Sequence, residues 1–137
     1  VNGARADYYG HVKTDGLVIS SATLNPVKNV QVDLWNYHAP ALQNSVFTKT
    51  EWKKKKNGTQ WMAGLQYVWQ RSLYNDTLSI EKQYTTKGEA SHVFSGRIAR
   101  TNTNTGSEWS LSATRITKHG RYLFPREWGV EPFYTFM

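Results

Sequence analysis

Trp61-Met62-Ala63-Gly64-Leu65-Gln66-Tyr67-Val68-Trp69-Gln70 decides the fold. One phase of this stretch carries Trp61, Ala63, Leu65, Tyr67 and Trp69; the other carries Met62, Gly64, Gln66, Val68 and Gln70. The period is two, which is the signature of a strand with unlike faces; helical spacing fits worse. Globular strands have a mode of about 5–6 residues and barrel staves run about 9–11, so the stretch reads as a stave.

The same alternation recurs outward from this stretch. Val30, Val32 and Leu34 alternate with Gln31 and Asp33, before Trp35 and Tyr37. Val46, Thr48, Thr50 and Trp52 alternate with Phe47, Lys49 and Glu51. Phe94, Gly96 and Ile98 alternate with Ser95, Arg97 and Ala99, and Trp109, Leu111 and Ala113 with Ser110, Ser112 and Thr114. Residues 17–24 form a weaker strand and residues 130–137 begin another. The expectation is an all-β chain, an antiparallel meander of about 6–8 strands forming part of a transmembrane β-barrel.

The connections support that expectation. Asn25-Pro26-Val27-Lys28 is short, residues 53–58 form a charged hairpin ending in Asn57-Gly58, and residues 102–106 form a polar turn. Asn-Gly is a strong type I′ hairpin signal. Residues 39–44, 72–90 and 117–129 read as longer connections. Alternating short and long connections are the habit of outer-membrane barrels.

Six tryptophans in 137 residues are many. They suit either an aromatic sandwich core or the interfacial belts of a membrane barrel. Trp52, Trp61 and Trp109 sit beside short turns; Trp35, Tyr37 and Trp69 sit toward the long connections. Eight steps from Trp61 to Trp69 span roughly 26 Å, or about 20 Å along a membrane normal, close to the apolar height of such barrels. These six aromatics are the expected membrane-interface residues.

The totals exclude several classes. The length bounds the chain to one domain. It starts at Val1 and stops inside an expected strand, so a single partial barrel segment of a longer chain is expected over 1–137. Without cysteine there is no disulfide, thiol nucleophile or thiolate metal site. His11, His38, His92 and His119 lack metal-ligand spacing, so no metal site is expected. Asp33, Glu51, Glu127 and Glu131 offer carboxylates without a spacing that fixes a catalytic pair, so no enzyme is expected.

The formal charge of +7 suits an acidic partner. Nucleic acid is disfavoured, because a stacking platform needs aromatic and basic residues on one face, whereas Arg97 and Lys49 fall opposite most tryptophans. The lysine run 53–56 reads as a solvated hairpin tip that also discourages edge pairing. In a barrel, Arg97 and Lys49 would face inward and attract anions.

Trp35-Asn36-Tyr37-His38-Ala39-Pro40-Ala41-Leu42 and His119-Gly120-Arg121-Tyr122-Leu123-Phe124-Pro125-Arg126-Glu127-Trp128-Gly129 resemble the OprD family of outer-membrane porins. Glu131-Pro132-Phe133-Tyr134-Thr135-Phe136 continues the second block, and Gly88-Glu89-Ala90-Ser91-His92-Val93-Phe94-Ser95-Gly96-Arg97 is similar as well. The resemblance implies a bacterial outer-membrane location and passive diffusion of small carboxylate-bearing or zwitterionic solutes, with no covalent chemistry and no cofactor. It also implies a narrow lumen with a ladder of basic residues, a role it extends to Arg97, Arg100 and Arg115. Outer-membrane lipid and the rest of the barrel would be the partners. The alternative is a soluble β-sandwich or barrel that binds a ligand or protein, with the Trp61/Leu65/Trp69 phase packed into its core.

Overall fold

A computed structural model describes residues 13–75, 77–83, 85–120, 122 and 133–134. Six strands form one sheet in chain order: β1 Val18–Val27, β2 Val30–Ala39, β3 Gln43–Lys56, β4 Thr59–Ser72, β5 Ala90–Asn102 and β6 Glu108–Ile116. Every neighbouring pair is antiparallel. A single 3₁₀ turn, Ile80–Lys82, is the only helical element among the described residues. The fold is an all-β meander, as the alternation requires. β1 and β6 each have one partner strand, so the sheet is open among the described residues.

The turns follow their chemistry. Asn57 and Gly58 both take positive φ, 48° and 72°, as a type I′ turn demands. Asn29 supplies the left-handed residue of the turn at 28–29, with φ 67°. Three expectations need correction here. Asn25, Pro26 and Val27 belong to β1; the register shifts between Leu24 and Val27, and a bulge on an edge strand is where a residue without an N–H is tolerated. Residues 39–44 are not a long connection: β2 and β3 are joined by the tight turn 40–42, with Ala41 at φ 60°. The strict short–long alternation therefore fails at this point. The lysine run belongs to β3, which continues to Lys56.

Directly opposed residues of an antiparallel ladder share a face. One face of the sheet carries Leu34, Thr50, Trp52, Trp61, Leu65, Tyr67, Phe94, Ile98 and Leu111. The other carries Gln43, Ser45, Lys49, Glu51, Gln66, Gln70, Ser91, Ser95 and Arg97. Burial runs opposite to that of a soluble sheet. Leu65 is 70% exposed and Leu111 66%, whereas Gln43 and Ser91 are each 1% exposed. Among the described residues no second sheet covers the apolar face.

Two small clusters lie elsewhere. Ala39, Leu42 and Tyr74 pack at the end with turn 40–42. Val68, Val93 and Phe133 pack on the polar face with Phe47 and Tyr122. The expected strand over 130–137 lies outside the described residues except for Phe133 and Tyr134, which are bends lying against the polar face. Most of the connection 117–129 also lies outside them.

The β3–β4 turn gives a direct test. Gly58→Ala puts a side chain at φ 72° and should cost about 1–2 kcal/mol. A urea midpoint followed by tryptophan emission would measure it.

Candidate functional site

The polar face is built from strand positions that alternate with the apolar ones. Thr23, Asp33, Lys49, Gln66, Ser95 and Thr114 form one row across all six strands. Gln31, Glu51, Gly64, Arg97 and Ser112 form the next. Such rows bring together side chains far apart in sequence.

Charge on this face is compensated. Glu51 is buried and takes Lys49 at 3.1 Å and Lys53 at 2.8 Å, its neighbours two residues away on the same strand face. Arg97 meets Glu108 at 2.5 Å. Asp33 accepts from Thr23 Oγ1 at 2.8 Å and from Gln31 Nε2 at 3.0 Å. The face therefore presents interleaved positive and negative groups in place of a purely basic ladder.

Tyr134 lies across the middle of this arrangement. Its hydroxyl donates to Glu51 Oε1 at 2.9 Å and its backbone N–H donates to Gln66 Oε1 at 3.0 Å. Gly64 makes the approach possible: any Cβ there would overlap the Tyr134 phenol. Burial, and then the Glu51 carboxylate, hold the phenol above its ordinary pKa, which keeps the proton available for that hydrogen bond. Phe133 anchors the same pair of residues on Val68 and Val93.

Toward turn 40–42, Gln70 donates to Ser45 Oγ at 3.0 Å. The Gln43 amide and the Ser91 hydroxyl are buried without a protein partner. Polar groups placed so are ordinarily satisfied by water.

The expected site residues divide between the faces. Lys49 and Arg97 share the polar face, one row apart and on strands separated by β4. Arg100 and Arg115 do not join them: Arg100 is opposite Trp61 and Trp109, and Arg115 is opposite Phe94, all on the apolar face, so the expected separation of basic from aromatic residues does not hold there. The cause is parity, because β5 and β6 pair without a bulge and Arg100 keeps step with Ile98, as Arg115 does with Ala113. Among the expected interface aromatics, Trp52, Trp61, Trp69 and Trp109 lie on the apolar face. Trp35 and Tyr37 lie on the polar face, opposite Phe47 and Ser45, and stack with centroids 6.3 Å apart. Their odd numbers already set them apart from Val30, Val32 and Leu34.

Glu108, Gly64 and Tyr134 complete the polar face and carry no local sequence signal for it. Glu108 acts by cross-strand proximity, and Tyr134 reaches Glu51 across 83 residues.

The apolar face is graded along the strands. Trp61 and Trp109 meet edge to face at 6.2 Å near the turn end. Gly96, Ala63 and Ala113 surround Leu65 with a shallow apolar depression. Beyond them Tyr67 contacts Phe94 at 5.1 Å and hydrogen-bonds His92 Nδ1 at 2.9 Å. Aromatics thus flank aliphatic and small residues. No family model, curated protein or solved structure matches this chain.

The Tyr134–Gly64 fit predicts a difference between two glycines. Gly64→Ala should displace Tyr134 and cost about 1.5–3 kcal/mol, the range for a hydrogen bond to a charged group. Gly96→Ala, whose Cβ would meet only Leu65 Cδ2 at 3.6 Å and the Gly64 carbonyl at 3.8 Å, should change stability by less than about 1 kcal/mol. Tyr134→Phe combined with Gly64→Ala should be less than additive in denaturation experiments.

Proposed function

We propose that this chain is part of an outer-membrane β-barrel porin of the OprD type. It would line a path for passive diffusion of small carboxylate-bearing or zwitterionic solutes across a bacterial outer membrane. The observation that carries the proposal is the inversion of the sheet: leucines and aromatics exposed on one face, glutamines, serines and Glu51 buried on the other. A transmembrane barrel has this distribution, with lipid against the apolar face and a polar interior that is water-filled or plugged by other parts of the chain.

Further features support it. The strands are long; β3 and β4 have 14 residues each. In lipid the free edges of β1 and β6 need partners, because unpaired backbone groups there cost several kcal/mol each, roughly. The remainder of the barrel would supply them. The buried Gln43 and Ser91 groups suit a wet interior. Lys49 and Arg97 would attract a carboxylate, while Glu51, Asp33 and Glu108 would meet the positive end of a zwitterion. Diffusion of this kind requires no covalent step, cofactor or nucleic acid.

A soluble binding module is the competing reading. It would need another layer over Leu65, Phe94, Ile98 and Leu111, and the described residues provide none.

Ion selectivity in the full barrel tests the transport role. Arg97→Ala removes one positive charge and also frees Glu108 from its partner. It should shift the reversal potential in a planar bilayer toward cation preference, and Glu108→Gln should shift it toward anions. Identical reversal potentials in wild type and both variants would contradict a lining role for this pair.

A further inference from the structure

Lys54, Trp61, Arg100 and Trp109 form one row across β3, β4, β5 and β6, on the apolar face. The row lies near the end that carries the turns 28–29, 57–58 and 103–107. The Arg100 guanidinium carbon sits 5.5 Å from the Trp61 ring centroid. Trp61 and Trp109 flank Arg100 and touch each other at 6.2 Å. The next row inward is Val30, Trp52, Ala63, Ile98 and Leu111, which is wholly apolar or aromatic.

The cations of the two faces differ. Lys49, Lys53 and Arg97 on the polar face are each paired with a carboxylate. Among the described residues, no carboxylate lies on the apolar face within reach of Lys54 or Arg100, and neither forms an ion pair. Both are exposed. Two positive charges at the rim of an apolar band, set between tryptophans, match the level at which lipid phosphates meet acyl chains. Trp rings prefer that boundary because one edge is apolar and the N–H is polar.

We infer that Lys54 and Arg100, held between Trp61 and Trp109, bind the phosphate of an anionic phospholipid headgroup. This rests on the lipid-facing reading of the apolar face. Short turns of outer-membrane barrels face the periplasm, so the lipid would belong to the inner leaflet. Arg100 then has a different task from Arg97, although they lie in the same strand: Arg97 serves the solute path and Arg100 fixes the depth of the sheet in the membrane. The shared charge sign of the two arginines conceals this, and only their opposite faces separate it.

The full barrel reconstituted in vesicles, with brominated phospholipid quenching its tryptophan emission, tests the inference. Phosphatidylcholine vesicles are compared with vesicles that also contain phosphatidylglycerol. Each cation at the surface should contribute about five-fold, equivalent to about 1 kcal/mol. The double variant Lys54→Gln/Arg100→Gln should therefore lose about 25-fold of the preference for phosphatidylglycerol, and Arg100→Lys should retain most of it. The control Lys87→Gln/Lys118→Gln removes the same charge beyond the opposite end of β5 and β6 and should change the preference less than about three-fold. Equal losses in both double variants, or no loss in the first, would overturn the headgroup site while leaving the apolar face lipid-bound. Absence of quenching by brominated lipid in either vesicle with the wild-type barrel would overturn the lipid-facing reading beneath it.

Discussion

A backbone ladder that pairs residue by residue leaves a side chain no choice of face. From β2 to β6 the register runs without a shift, and all of it is antiparallel. One residue of slippage would exchange the faces entirely. Here a slip of β5 alone would drive Phe94 and Ile98 onto the side of Glu51 and strand Arg97 among the apolar groups of the other face. The hydrogen-bonded register and the two chemically unlike faces therefore enforce each other. The apolar face gains nothing in water from its exposure; it becomes favourable where the surrounding medium is itself apolar.

The polar face has its own internal logic. Carboxylates and cations are placed two residues apart along a strand or across neighbouring strands, so Glu51 is buried with two lysines and a phenol around it. A buried carboxylate left without partners would be costly. Gly64 matters because it has no side chain: the space it leaves admits Tyr134, which lies between the Glu51 and Arg97 positions of one row. Phe133 adds an apolar anchor beside it. The solute path that we propose would thus be shaped by aromatic residues seated on an otherwise hydrophilic surface.

Much of this was legible from alternation. The ten residues from Trp61 to Gln70 give β4 and both of its faces, and Asn57-Gly58 gives the hairpin that precedes it. Parity also contains the places of Trp35, Tyr37, Arg100 and Arg115, but chemical type points the other way, because an aromatic suits the membrane belt and an arginine the lumen. Turn 40–42 is tighter than its sequence suggests because Ala41 adopts a left-handed conformation that alanine gives no reason to expect. The Tyr134–Gly64–Glu51 arrangement was beyond local pattern, since it joins residues from distant parts of the chain.

The chain has no cysteine, so single cysteines can be introduced one at a time along β4 without background. Spin labels at positions 61–70, in the barrel reconstituted in lipid, would report collisions with oxygen, which concentrates in the bilayer, and with a water-soluble nickel chelate. Positions 61, 63, 65, 67 and 69 should favour oxygen, and 62, 64, 66, 68 and 70 should favour the chelate or be screened from both. Odd positions screened from both reagents would mean that the face is packed inside protein, and the membrane barrel would have to be abandoned.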